Sequence, residues 1–129
     1  MEKQTFEQLQ EELYVEQMEN GLSVYILPKP GFNKTYATFT TKYGSIDNHF
    51  KEPGEQEFSQ VPDGIAHFLE HKLFEKEDGD VFQQFSRQGA AANAFTSFTR
   101  TAYLFSSTSD VEKNLETLID FVQEPYFSD

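Results

Sequence analysis

The stretch LYVEQMENGLSVYILPK, Leu13 to Lys29, constrains the fold more than any other, because two apolar-rich runs meet at Asn20-Gly21. That pair suits the positive φ angles of a tight type I′ turn, so the spacing predicts a β-hairpin and antiparallel pairing. KTYATFTTKYG, from Lys34, is rich in Thr, Tyr and Phe and reads as a third strand. A polar loop then runs from Ser45 to Pro62, with Pro53, Gly54 and Pro62 along it. Loops of that length in a compact domain are often functional.

Three helices and two more strands follow. The first helix is expected to start after Asp63, a good N-cap residue. DGDVFQQFSRQG predicts a short helix capped by Asp80 and stopped at Gly89. AANAFTSF and RTAYLFSST read as strands. The last helix opens with a capping box, Ser109-x-x-Glu112, and carries Val111, Leu115, Leu118, Ile119 and Val122 at helical spacing before Pro125. The order β-β-β-α-α-β-β-α gives an α+β class, an antiparallel sheet with helices packed on one face.

Composition narrows the partners. With 22 acidic against 10 basic residues, the net charge of −12 repels phosphate backbones, which argues against nucleic acid. No run approaches the ~20 apolar residues that cross a bilayer, so no membrane partner is expected. Cysteine is absent, so a metal would take His and carboxylate ligands. The polar, acidic start MEKQTFEQLQEEL has no secretory pattern, and a cytoplasmic location is the simplest expectation.

The chemistry concentrates in GIAHFLEHKLFE, Gly64 to Glu75, which holds two of the three histidines. At about 100° per residue, His67 and His71 lie about 40° apart on one helix face, with Glu70 about 60° from His67. Ile65, Phe68, Leu69 and Leu73 fall on the opposite side and are expected to bury. Two imidazoles at i and i+4 can direct a ring nitrogen at one Zn²⁺, and Glu70 lies where it could take a proton from water. H-x-x-E-H is the inverzincin signature. The bland alternative is a solvated helix face, which for His49, in the polar loop, is the preferred reading.

The segment DGIAHFLEHKLFE resembles the inverted-motif zinc peptidases of the pitrilysin family. NGLSVYILPKP resembles that family's opening hairpin, and TKYGSIDN its Gly-Ser segment, with Asp47 where relatives often have Glu. GAAANAFTSFTRTAYLFSS and LIDFVQEPYFSD resemble the strand pair and helix end that follow. The likeness is greatest to an uncharacterised bacterial branch of zinc peptidases.

The resemblance implies a partial pitrilysin-family fold and a zinc-dependent endopeptidase. His67 and His71 would be zinc ligands and Glu70 the general base. It also implies that Asn93, Ala94, Phe95 and Thr96 bind substrate along a sheet edge, by β-augmentation of an extended peptide. The family's third ligand is a glutamate well downstream, and only residues 72 to 129 follow His71. That ligand is therefore expected beyond Asp129. Residues 1–129 are expected to be one incomplete N-terminal metallopeptidase domain, poorly active alone. The partners implied are a peptide or unfolded polypeptide, and a homologous partner subunit or a second copy. A non-catalytic peptide-binding subunit is the alternative, and a structural metal site a third.

Overall fold

The computed structural model describes residues 1–127. The chain forms two compact units, one spanning Met1–Asn33 and one starting at Lys34. The first is an antiparallel meander of β1 (Glu2–Phe6), β2 (Glu11–Gln17) and β3 (Ser23–Ile26), in that spatial order. The Asn20-Gly21 hairpin is present, with Tyr14 opposite Ile26 and Gln17 opposite Ser23. Its turn is not type I′, because Gly21 has φ +90 whereas Asn20 has no positive φ. The turn instead closes with Gly21 N–H donating to Met18 O, and Asn20 Oδ1 accepts from Leu22 N–H. Met18 N–H also donates to Leu22 O at 2.8 Å, so the ladder closes around a three-residue loop that ends in the left-handed glycine. Strand β1 has no counterpart in the sequence reading. Every residue in it is exposed, so it shows no apolar alternation, and the ion pair Lys3–Glu12 at 2.6 Å crosses its ladder.

In the second unit, β4 (Thr35–Thr41), β10 (Thr101–Ser107) and β9 (Ala90–Thr96) form an antiparallel sheet in the order β4-β10-β9. Strand β10 is central because its sequence can be buried on both faces; Thr101, Ala102, Tyr103, Phe105 and Ser107 are all buried. Short pairs join β5 (His49–Phe50) to β6 (Ser59–Gln60), inside the polar loop, and β7 (Glu75–Lys76) to β8 (Gly79–Asp80). The helices α1 (Ile65–Phe74), α2 (Val81–Arg87) and α3 (Val111–Gln123) pack on the sheet. The α+β class and the antiparallel pairing are as expected. No helix among the described residues is long and apolar enough to cross a membrane.

The core lies between helices and sheet. Phe74, Val81, Phe85, Ala90, Tyr103, Phe105, Leu118 and Phe121 fill it, with Ala37, Phe39, Ala92 and Ala94 packed against them. Along the register, Tyr103 faces Phe39 on one side and Ala94 on the other, and Phe105 faces Ala37 and Ala92. Large rings on the central strand thus sit beside alanines on β9, which leaves room for the helices. Burying Phe85, Phe105 or Leu118 contributes about 1.5–3 kcal/mol each.

Three helix details differ from the sequence reading. Asp80 caps α2 as expected, accepting from Phe82 N–H at 2.7 Å. Helix α1 follows Asp63, but its N-cap is Gly64, at φ +86, and Asp63 accepts from Asn48 Nδ2 at 2.9 Å rather than from a helix amide. The Ser109 capping box does not form. The N-cap is Asp110, without a side-chain bond, and Asn114 Nδ2 reaches back to Ser109 O and Asp110 O. That inward amide also rotates α3, which buries Asn114, Thr117, Leu118 and Phe121 while Leu115 and Ile119 are exposed.

Candidate metal centre and cleft

Helix α1 does not bury the stripe its apolar residues suggest. Its buried positions are Ala66, Glu70 and Phe74, spaced by four, while Phe68 is 52% exposed. The small Ala66 allows a close approach, and Phe74 anchors the far end through rings of Phe82, Tyr103 and Phe121. This rotation carries Glu70 inward, where it is 6% exposed, and leaves His67 and His71 at the surface.

The two imidazoles face each other. Their Nε2 atoms are 3.0 Å apart, with ring centroids at 4.6 Å and planes at 67°. Two nitrogens each ~2.0–2.1 Å from a tetrahedral zinc stand about 3.4 Å apart, so a few tenths of an ångström of ring adjustment would let both bind one ion. The donors are chemically suited to zinc and already converge. Among the described residues no group of three His, Cys, Asp or Glu side chains is placed to hold a metal.

Glu70 is oriented from two sides. Its Oε2 lies 3.8 Å from His67 Nδ1 and accepts from Thr96 Oγ1 at 2.5 Å. Its negative charge adds to burial in raising the Tyr103 phenol to about 12, so Tyr103 stays neutral beside it.

One cleft is lined by His67, Glu70, His71, Asn93, Ala94, Phe95 and Thr96, all singled out from the sequence, together with Phe74 and Phe82. Strand β9 is an edge strand there, since among the described residues it pairs with β10 alone. Asn93 and Phe95 are exposed, and Asn93 Oδ1 accepts from the Ala94 N–H at 2.9 Å. The two phenylalanines were missed as lining residues. Phe74 is four residues after Glu70, a spacing that marks the shared face, and Phe82 stacks on it at 4.0 Å and 11°. His49 lies outside the cleft, exposed and stacked on Phe58.

The chain is 78% identical over 96% of its length to the uncharacterized zinc protease YmfH of Bacillus subtilis, and it spans 29% of that protein. Its structure is similar to an M16-like peptidase from Alicyclobacillus acidocaldarius, with a TM-score of 0.84 and 45% identity over 92% of this chain and 28% of that one. It also shares its fold with pitrilysin, at a TM-score of 0.72 and 20% identity over 95% of this chain and 13% of that one. The chain therefore spans less than a third of the length of these relatives. The family model for Insulinase (Peptidase family M16) matches residues 58–129, more than half of the chain and the whole histidine helix, and the chain belongs to that family.

Proposed function

We propose that this chain carries the zinc-binding and proton-transferring part of a metalloendopeptidase that hydrolyses peptide bonds in peptides or unfolded polypeptides. The single observation that carries the reading is the convergence of His67 Nε2 and His71 Nε2 at 3.0 Å beside the buried carboxylate of Glu70. In this reading the two imidazoles hold zinc, and the remaining ligand comes from outside residues 1–129. The names of the relatives, zinc proteases, support that choice of metal. Zinc, when bound, supplies Lewis acidity and brings the pKa of its water near 7.

The chain's own residues do the rest. Glu70 takes a proton from the attacking water as the water oxygen bonds to the scissile carbonyl carbon. As the C–N bond breaks, Glu70 returns that proton to the leaving amine. The open edge of β9 beside the histidines would align an extended peptide, with Asn93, Ala94 and Phe95 along it. Displacing the Asn93 side chain from the Ala94 N–H would free that donor for the incoming backbone. A cytoplasmic location belongs to the same proposal and is supported by the acidic, cysteine-free composition.

The test is Glu70→Gln in the complete protein. Peptide hydrolysis should fall by about 10²–10⁴-fold, the usual contribution of a general base, while bound zinc stays near stoichiometric. Activity near wild type would reject Glu70 as the base. Peptide binding without zinc-dependent cleavage by the wild type would favour a non-catalytic partner subunit instead.

A further inference from the structure

Thr96 resembles a substrate contact in sequence, yet its hydroxyl is turned elsewhere. Thr96 Oγ1 donates to Glu70 Oε2 at 2.5 Å, within the short range of a hydroxyl bonded to a carboxylate. Thr96 is the last residue of β9 and is half-buried, while Glu70 reaches the same point from α1. A carboxylate this buried is costly without a donor, and its side chain has several rotamers open to it. We propose that Thr96 is a positioning residue for Glu70: its hydroxyl fixes Oε2 and so leaves Oε1 to receive the proton of the attacking water. The inference rests on Glu70 acting as the base.

The anchor is itself held by neighbouring backbone. Thr96 ends its strand at a turn in which Ser97 N–H donates to Arg100 O at 2.8 Å. Two amides of the loop after β4 clamp that turn, Ser45 N–H to Ser97 O at 2.9 Å and Ile46 N–H to Phe98 O at 3.1 Å. Opposite Thr96 in the ladder, Thr101 Oγ1 donates to Tyr43 O at 2.7 Å. The position of the hydroxyl is thus set by the segment Tyr43–Ile46, outside the cleft. A hydroxyl held by this much backbone, and spent on the carboxylate, is suited to fixing a rotamer rather than to gripping a variable substrate.

Thr96→Val keeps the shape and removes the donor. In the complete protein it should lower kcat by about 10–100-fold while KM stays within about twofold and zinc content is unchanged. Thr96→Ser, which restores the hydroxyl, should recover most of the loss. A crystal structure of metal-free Thr96→Val should show the Glu70 carboxylate displaced from its wild-type place. Should the valine variant fail to fold, Thr96→Ala compared with Thr96→Ser reads the same split. Wild-type kcat in Thr96→Val, failure of serine to rescue, an unmoved carboxylate, or a change confined to KM would each overturn the proposal. An inactive Glu70→Gln beside a fully active Thr96→Val removes Thr96 alone; an active Glu70→Gln removes the base and the positioning role with it.

Discussion

His67 Nε2 and His71 Nε2 stand 3.0 Å apart at the surface of α1, with only one helical turn between their backbones. Neither ring carries core packing, so removing one should cost metal and little else. His67→Ala or His71→Ala is expected to lower zinc affinity of the complete protein by at least about 100-fold, beyond the loss seen for outer partners of a metal site. Competition against a chromophoric chelator would measure it, with circular dichroism confirming an intact fold. Unchanged affinity in either variant would end the metal reading.

A second prediction concerns α3. Asn114 is fully buried and accepts from Gln88 Nε2 at 2.8 Å while its amide donates to Asp110 O at 3.0 Å, with Gln88 O and Ser109 O both at 3.3 Å. Asn114→Ala strands these carbonyls and Gln88, and should destabilise by about 2–3 kcal/mol in urea denaturation. Asn114→Asp should be worse, because it sets a carboxylate oxygen against carbonyl oxygens.

That same residue shows where the sequence was legible and where it was not. The hairpin at Asn20-Gly21, the Asp80 cap and the spacing of His67, Glu70 and His71 depend on contacts within a few residues, and each could be read locally. Asn114 could not, because its partner Gln88 is 26 residues away, and a helix that hides a polar residue defeats an apolar count. Helix α1 fails the same way: Glu70 enters the buried stripe because Thr96, on another element, supplies a donor. Strand β1 went unseen for the opposite reason, since a fully exposed strand carries no hydrophobic alternation. The cleft residues Asn93 to Thr96 were reached through family likeness, not through local pattern.

Gly44 supplies a third prediction. A Cβ there would lie 2.5 Å from Phe98 C, Phe98 O and Ser97 O, all backbone atoms that cannot swing aside. Gly44→Ala should therefore cost about 2–3 kcal/mol, the upper part of the range for overpacking. Gly21→Ala, at φ +90 but with nothing within 4 Å, should cost only about 1 kcal/mol of backbone strain. Urea midpoints at equal m-values would rank the two. If the ranking inverts, the close approach of the loop to the Ser97–Arg100 turn is not rigid.

The last prediction follows from Tyr103, which packs on Phe74 and Phe121 and is 4% exposed. Burial first, and then the charge of Glu70, push its phenol from 10.0 up to about 12. Between these values the unfolded chain has lost the phenolic proton and the folded chain still holds it. Stability from this group is therefore complete below pH 10 and is lost as pH rises toward 12. A rise of that size corresponds to about 3 kcal/mol. Tyr103→Phe keeps the ring packing and removes the titration, so its stability should decline less steeply than wild type across that window. Other basic and phenolic groups titrate there too, and the difference between the two proteins isolates Tyr103. Urea denaturation at pH 9, 10, 11 and 12 would measure it, and parallel curves would show that the phenol ionises as freely in the folded chain as in the unfolded one.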